Sequence, residues 1–296
     1  MTETRRTNRF AFLFFLYFLV SPLAISFFPA LRQPHNGALL MLLVQLIGFL
    51  PPTVFYFLYT KKNVRDTLRL HPLGWKNFLL VIAFGVSIQP VMSLLSYLTS
   101  LLFPNPVEQS IETLQASGLI LSFLAVALVP AVTEEILSRG ILLSGYHFLG
   151  KWKAAFLSAL LFALLHANLQ QLPYAFTVGF LFCFLVERTN SLYASIIPHM
   201  VINGTTIFSI FTEGLGTGPV EMEPAAILLT LGMMALFSLP WLAVLFLLFL
   251  KVNQPQEALA LIDETGAPYR ENMLSPALIG IFLLFFSIGI LPYFLS

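Results

Sequence analysis

The sequence predicts an all-α fold, a bundle of transmembrane helices that forms a single integral membrane domain over residues 1–296. Composition and pattern both point this way. Of the 296 residues, 58% are hydrophobic and 10% are charged, whereas about a quarter of the residues in an ordinary soluble domain are charged. The apolar residues fall into long runs, and none of these runs alternates with the period of two that a membrane β-strand needs.

Nine apolar segments are candidates for membrane spans. They cover residues 10–28, 38–59, 78–103, 119–148, 154–169, 172–186, 192–211, 225–250 and 276–295. A helix needs about 20 residues to cross the hydrocarbon core of a bilayer. The fifth and sixth segments are short by this measure, so we predict eight or nine spans, with the longest loop over residues 253–272.

The basic residues indicate how the bundle is oriented. With the N-terminus in the cytoplasm and nine alternating helices, thirteen of the fifteen Lys and Arg residues fall in inner loops, Arg32 falls outside and Arg139 lies within a helix. This is the positive-inside pattern. The first segment resembles a signal peptide but lacks a small-residue cleavage site, so we expect an uncleaved helix. The prediction is an integral membrane protein with a cytoplasmic N-terminus, as suits a bacterial plasma membrane.

Charge and cysteine content exclude several other functions. The formal net charge of +1 offers no basic surface for nucleic acid. The single cysteine, Cys183, excludes a disulfide within the chain. It has no histidine at a matching spacing, and no serine is placed as a nucleophile either, so we expect no covalent catalysis.

The fourth segment carries three charged side chains in an otherwise apolar run. Glu134 and Glu135 lie near its middle, where an ionised carboxylate costs about 2.5–3.5 kcal/mol on insertion scales. Arg139 follows Glu135 by four residues, so the two share a helix face and can pair. Glu134 points about 100° away from that pair, which leaves it available for chemistry. A purely structural ion pair with a spare acid is the alternative interpretation.

The fifth segment places a histidine at the depth of these glutamates. Phe162 and His166 lie one helical turn apart and face the same way. Glu134 and His166 are each sixteen residues from Gly150, the predicted turn, so an antiparallel hairpin brings them to the same level. A lone buried histidine is more often a satisfied core residue, but a carboxylate at its level favours a shared site.

The seventh segment contributes a second histidine and an amide. His199 and Asn203 are four residues apart on one face and follow Pro198. The proline loosens the helix and can open room for a ligand. In the alternative interpretation, Asn203 only joins neighbouring helices by hydrogen bonds.

These residues together predict a buried hydrolytic site. The set is Glu134, Glu135, Arg139, His166, His199 and Asn203. A glutamate with a histidine can activate water, and a second histidine with an asparagine can stabilise an oxyanion, which fits amide hydrolysis. Glu134, His166 and His199 could equally hold zinc with an open position for water. The chain has no HExxH motif, and the pattern leaves metal-free and zinc-assisted attack open.

Three motifs in this order resemble those of a known family. Glu134-Glu135-x-x-x-Arg139, Phe162-x-x-x-His166 and His199-x-x-x-Asn203 are similar to the motifs of the CPBP family. That family includes the type II CAAX prenyl endopeptidases and the bacterial Abi and bacteriocin-processing proteins. The resemblance covers residues 119–211 as a catalytic core, with residues 1–118 and 212–296 as flanking transmembrane helices.

The resemblance implies an intramembrane endopeptidase that hydrolyses a peptide bond near the end of a membrane-associated peptide or protein. Glu134 would be the general base, with His166 beside it. His199 and Asn203 would stabilise the oxyanion, or ligate a metal where one is present, since the family is often called a metalloprotease although a metal-independent mechanism is also proposed. The supporting residues would be Glu135, Arg139 and Phe162.

Substrate, oligomeric state and catalytic competence stay open at this point. The expected partners are the lipid bilayer and a peptide or membrane-protein substrate. A non-catalytic membrane scaffold of the same fold, which binds a partner membrane enzyme, is the main alternative. A transporter is a third possibility, but the chain lacks the glycine- and proline-interrupted helices in matched halves that it would predict.

Overall fold

The computed structural model describes residues 1–28, 33–104, 110–213, 223–253 and 272–295. Helix is the sole regular secondary structure in these residues, which confirms the predicted all-α fold. Arg32 and nearly all of the predicted loop 253–272 lie outside the described ranges.

Nine long helices occur in the described residues, one for each predicted apolar segment. They are α1 (Glu3–Ile25), α2 (Gly37–Thr60), α3 (Trp75–Ser100), α4 (Leu119–Gly145), α5 (Lys151–Leu165), α6 (Leu172–Thr189), α7 (Tyr193–Glu213), α8 (Pro224–Val252) and α9 (Pro276–Ile290). Seven of them, all but α5 and α9, are long and apolar enough to cross a membrane. The structure is therefore a polytopic helical bundle, as predicted.

The two segments predicted to be short differ in the structure. The sixth continues to Thr189 as a helix of 18 residues and is long enough to span. The fifth has 15 residues, because the chain leaves the helix at His166 and the next residue, Ala167, takes a left-handed φ of 46°. Most residues of α5 are buried, so it is a core helix whose C-terminal end places a histidine inside the bundle.

The centre of the bundle is formed by the helices that carry the predicted motifs. In α4, α6 and α7, 39% of the most apolar 18-residue stretch of the helix is buried, against 22% in α2, α3 and α8. α5 packs most extensively on α6, and α3 packs on α7 and α8. The flanking helices thus pack against a core made of α4 to α7.

Helix α4 is irregular on both sides of its glutamates. Two π-helical stretches, Leu124–Leu128 and Ile136–Leu142, enclose the regular segment Val129–Glu135. A π-helical turn adds a residue to the turn, changes the direction of the side chains that follow, and is frequent at functional sites. These stretches set where Glu134 and Glu135 point.

Buried polar contacts tie the outer helices to this core. In α1, the Asn8 amide donates to Ser275 Oγ at 2.9 Å and accepts a hydrogen bond from the Tyr146 hydroxyl at 2.8 Å. In the connection between α2 and α3, Arg69 forms an ion pair with Glu187 of α6 at 2.6 Å. Buried polar groups of this kind need partners, and here the partners fix the flanking segments against α4 and α6.

Candidate active site

A cavity of about 570 Å³ lies between α3, α4, α6 and α7 and receives the end of α5. Five of the seven predicted site residues line it: Glu134, Phe162, His166, His199 and Asn203. The other two, Glu135 and Arg139, are fully buried. The hairpin argument placed Glu134 and His166 at one level, and both face this cavity.

The predicted pair of Glu135 and Arg139 is present. Arg139 Nη1 donates to Glu135 Oε1 at 2.9 Å, and both side chains are 0% exposed. The guanidinium lies over the Phe162 ring, 4.4 Å from its centroid, and 5.5 Å from the Phe182 centroid. Aromatic faces stabilise a desolvated cation, so Phe162 supports the site by covering Arg139.

His199 links the two glutamates. Its Nδ1 donates to Glu135 Oε1 at 2.8 Å, since a carboxylate paired with an arginine accepts hydrogen bonds. Its Nε2 lies 3.9 Å from Glu134 Oε2. The hydrogen bond on one ring nitrogen fixes the tautomer and orientation of the ring, so Nε2 is directed towards Glu134.

Glu134 is the carboxylate that reaches the cavity. Its side chain is 16% exposed, against 0% for Glu135. Glu134 Oε1 accepts a hydrogen bond from Gln45 Nε2 at 3.0 Å, and the same Nε2 lies 3.0 Å from Thr133 Oγ1. Gln45 of α2 therefore binds Oε1. The other oxygen, Oε2, faces His199 and is available for chemistry.

Gln45 was missed in the sequence analysis. It lies in α2, in an apolar run far from the three motifs. Its position in the sequence could have indicated a role, because a polar side chain in the middle of a membrane helix usually faces the bundle interior and has a partner there. The sequence did not reveal which partner, because helices α2 and α4 are separated by two long connections and another helix.

His166 shares the cavity with Glu134, but no hydrogen bond joins the two among the described residues. His166 Nδ1 donates to the Phe162 carbonyl at 3.1 Å, and its ring packs edge-on against the Phe162 ring at 5.1 Å. A carbonyl can only accept, so the hydrogen sits on Nδ1 and Nε2 of the neutral ring is an acceptor. The histidine in contact with Glu134 is His199 instead.

Asn203 makes the inter-helix hydrogen bond of the alternative interpretation and still faces the cavity. Its Nδ2 donates to the Val126 carbonyl at 2.9 Å, in the first π-helical stretch of α4. Pro130, four residues further on, has no N–H to donate to that carbonyl. One amide hydrogen of Asn203 is thus used to anchor α7 to α4, and its second hydrogen is available at the cavity.

Two glycines allow the close approach of helices at this site. A Cβ atom on Gly179 would lie 2.9 Å from Arg139 Nη2 and 3.1 Å from the Phe162 ring, and one on Gly85 would lie 3.1 Å from the Pro198 backbone. These contacts are shorter than normal van der Waals distances. Gly179 makes room for the buried guanidinium, and Gly85 lets α3 meet α7 one residue before His199.

The predicted zinc ligands do not form a three-ligand group. Among the described residues, no set of three or more His, Cys, Asp or Glu side chains is placed to hold a metal ion, and a catalytic zinc site normally has three protein ligands. Glu134 and His199 are close enough to share an ion. His166 keeps a lone pair on Nε2, because its hydrogen bond to the Phe162 carbonyl uses Nδ1, but its side chain does not form one group with the other two. The geometry does not fit the predicted zinc set, and metal dependence itself stays an untested prediction.

Comparison with known proteins shows what the segment that carries the site is similar to. Residues 116–205 match a family described as "Type II CAAX prenyl endopeptidase Rce1-like". The match contains every predicted site residue, while α2 with Gln45 and α3 lie outside it. Neither the curated proteins nor the solved structures include a match to this chain. The resemblance predicted from the three motifs is therefore confirmed: over residues 116–205 the chain is similar to the Rce1-like type II CAAX prenyl endopeptidases, a family of membrane-embedded proteases.

Proposed function

We propose that the protein is an intramembrane endopeptidase in which Glu134 activates water against a peptide bond. The observation that carries the proposal is the convergence of Glu134, His199 and Asn203 on one cavity in a segment that matches a protease family. The buried Glu135–Arg139 pair supports this arrangement, because Glu135 accepts the hydrogen bond that orients His199.

The 3.9 Å separation of Glu134 Oε2 and His199 Nε2 suits a bridging water molecule. A water about 2.8 Å from each atom satisfies normal hydrogen-bond distances. Glu134 removes one proton from this water as its oxygen attacks the carbonyl carbon of the scissile bond. A positioned general base of this kind contributes about 10²–10⁴-fold to the rate.

The attack converts the carbonyl oxygen into an oxyanion that needs hydrogen-bond donors. The second N–H of Asn203 is one such donor, and His199 supplies another when Nε2 carries a proton. His166 lines the same cavity, so its Nε2 can accept a hydrogen bond from the substrate. When the C=O bond re-forms, the C–N bond breaks and the proton on Glu134 passes to the leaving nitrogen, which yields a carboxylic acid and an amine.

The position of the cavity indicates where the substrate binds. Its walls come from α3, α4, α6 and α7, which are all candidate membrane spans. Ser93, Ser96 and Tyr97 line one side, and Ile202, Ile207 and Ile210 line another. An extended segment with an apolar side and free backbone amides fits such walls, so we expect a peptide or the terminal part of a membrane protein as the substrate.

The test is proteolysis of a quenched peptide library by the purified protein in detergent, with Glu134→Gln beside it. Glu223→Gln is the matched control, because Glu223 is exposed and does not line the cavity. We expect cleavage by the wild type and the control, and a loss of about 10²-fold or more in Glu134→Gln. Cleavage that is equal in all three proteins would contradict the role of Glu134.

A chelator arm decides between the two water-activating chemistries. Cleavage that survives chelation supports glutamate-activated water without a metal, and cleavage that is lost and returns with zinc supports a metalloprotease. A protein that acts only as a scaffold would cleave no peptide, and its binding to a partner enzyme would be the same in Glu134→Gln as in the wild type.

A further inference from the structure

A second concave site lies between α5 and α6, near the turns at Gly150 and Asn190. It is a groove of about 140 Å³, lined chiefly by Lys151, Trp152, Phe180, Phe184, Glu187 and Arg188. None of these residues lines the catalytic cavity. The groove is therefore a separate feature of the bundle, and its chemistry is independent of the proposed hydrolysis.

The groove carries two cations without an acidic partner. In the parts of the chain that the structure describes, neither Lys151 nor Arg188 lies within ion-pair distance of a carboxylate. Glu187 also lines the groove, but it is neutralised by Arg69 at 2.6 Å. The Arg188 guanidinium lies over the Phe184 ring, 5.3 Å from its centroid. The groove thus has an excess of two positive charges.

An aromatic surface continues from these cations along the outside of the helices. The Trp152 ring stacks on Phe180 at 6.2 Å, and 70% of Trp152 is exposed. Further along α5, Phe156 packs against Phe176 at 5.5 Å and is 45% exposed. In a membrane protein such side chains face lipid, and tryptophan favours the depth of the headgroups.

We propose that this groove binds an anionic phospholipid. The phosphate would lie between Lys151 and Arg188, and the acyl chains would run along Trp152, Phe156 and Phe176. Basic pockets between transmembrane helices are suited to anionic headgroups. A soluble phosphate would satisfy the cations but would leave the aromatic surface uncovered. In the predicted orientation both turns face the cytoplasm, so the lipid belongs to the inner leaflet.

Native mass spectrometry of the full-length protein in detergent tests the proposal. Phosphatidylglycerol, phosphatidylcholine and glycerol 3-phosphate are titrated separately against the wild type and Lys151→Gln/Arg188→Gln. The control is Lys153→Gln/Arg65→Gln, which removes two exposed cations that do not line the groove. We expect retention of phosphatidylglycerol by the wild type and the control, and about 30-fold weaker retention in the groove variant.

Three outcomes would overturn the proposal. Equal retention of phosphatidylglycerol by the groove variant would show that the cations do not bind the headgroup. Equal retention of phosphatidylcholine by the wild type would remove the preference for an anionic lipid, and tight binding of glycerol 3-phosphate would identify a soluble phosphate site instead. Unfolding temperatures measured in detergent without lipid show whether the groove variant has kept its fold. If it has not, the single variants Lys151→Gln and Arg188→Gln give the same comparison.

Discussion

His199 Nδ1 lies 2.8 Å from Glu135 Oε1, the same oxygen that accepts a hydrogen bond from Arg139 at 2.9 Å. The three side chains form a row from the buried interior of the bundle to the cavity wall. Arg139 compensates the charge of Glu135, Glu135 orients His199, and His199 presents Nε2 to Glu134. The adjacent glutamates of α4 therefore have different surroundings, one buried and paired and the other open to the cavity.

The buried pair makes a strong prediction about stability. Arg139→Met leaves the Glu135 carboxylate buried with its main cation removed, and breaking such a pair costs about 3–5 kcal/mol. We expect a large fall in the unfolding temperature. It can be measured in detergent from tryptophan fluorescence or from the reactivity of the buried Cys183 thiol. Arg5→Met is the control, because Arg5 is exposed on α1.

The double variant Arg139→Met/Glu135→Leu separates charge from packing. Replacing both charges with apolar groups removes the uncompensated carboxylate, so part of the stability should return while proteolysis stays low, because His199 has lost its acceptor. A double variant less stable than Arg139→Met would show that the ion pair is not the source of the effect.

His166 and His199 should respond differently to the same substitution. His199→Asn removes a hydrogen bond to a charged group, worth about 1.5–3 kcal/mol, whereas His166→Asn removes one to a neutral carbonyl, worth about 0.5–1.5 kcal/mol. We expect both variants to lose proteolysis and His199→Asn to unfold at the lower temperature. The reverse order of unfolding temperatures would contradict the bridging position of His199.

Gln45 is predicted to position Glu134 although it lies outside the family match. Gln45→Leu leaves Glu134 Oε1 without its donor at 3.0 Å, so the carboxylate can rotate away from the attacking water. We expect kcat to fall by about tenfold with little change in KM, the pattern of an interaction that matters in the transition state.

The control for Gln45 is Gln115→Leu. The Gln115 amide likewise joins two segments, by a hydrogen bond to the Ile210 carbonyl at 2.8 Å, but Gln115 itself does not line the cavity. We expect Gln115→Leu to lower the unfolding temperature without the fall in kcat that is predicted for Gln45→Leu. Parallel effects on kcat in both variants would mean that Gln45 is merely structural.

Gly179 should not tolerate a methyl group. In Gly179→Ala the new Cβ would lie 2.9 Å from Arg139 Nη2, whereas one on Gly232 in α8 has nothing within 4 Å. Overpacking of a core costs about 1–3 kcal/mol. We expect Gly179→Ala to lower the unfolding temperature and proteolysis, and Gly232→Ala to change neither. Unchanged proteolysis in Gly179→Ala would show that Arg139 can move without effect on the site.

Local spacing explains which parts of the site were predictable. Glu135 and Arg139 pair because residues four apart share a helix face, and the Phe162–His166 contact follows from the same rule. The number of helical segments followed from apolar runs, since a bilayer leaves few alternatives to a helix. Each of these features depends on neighbours within one or two helical turns.

Tertiary structure decided which histidine meets which glutamate. The hairpin placed Glu134 and His166 at one level, but depth does not fix the direction in which a side chain points around the helix axis. The π-helical stretches of α4 and the close contact at Gly85 change that direction, and they bring His199 to both glutamates. Gln45 likewise reaches Glu134 only through the packing of α2 on α4. The sequence by itself determined the membrane bundle, the resemblance of residues 116–205 to a protease family and most of the side chains that meet at the cavity. Their partners were decided by contacts between helices distant in the chain, because such contacts depend on rotation and packing that no local pattern encodes.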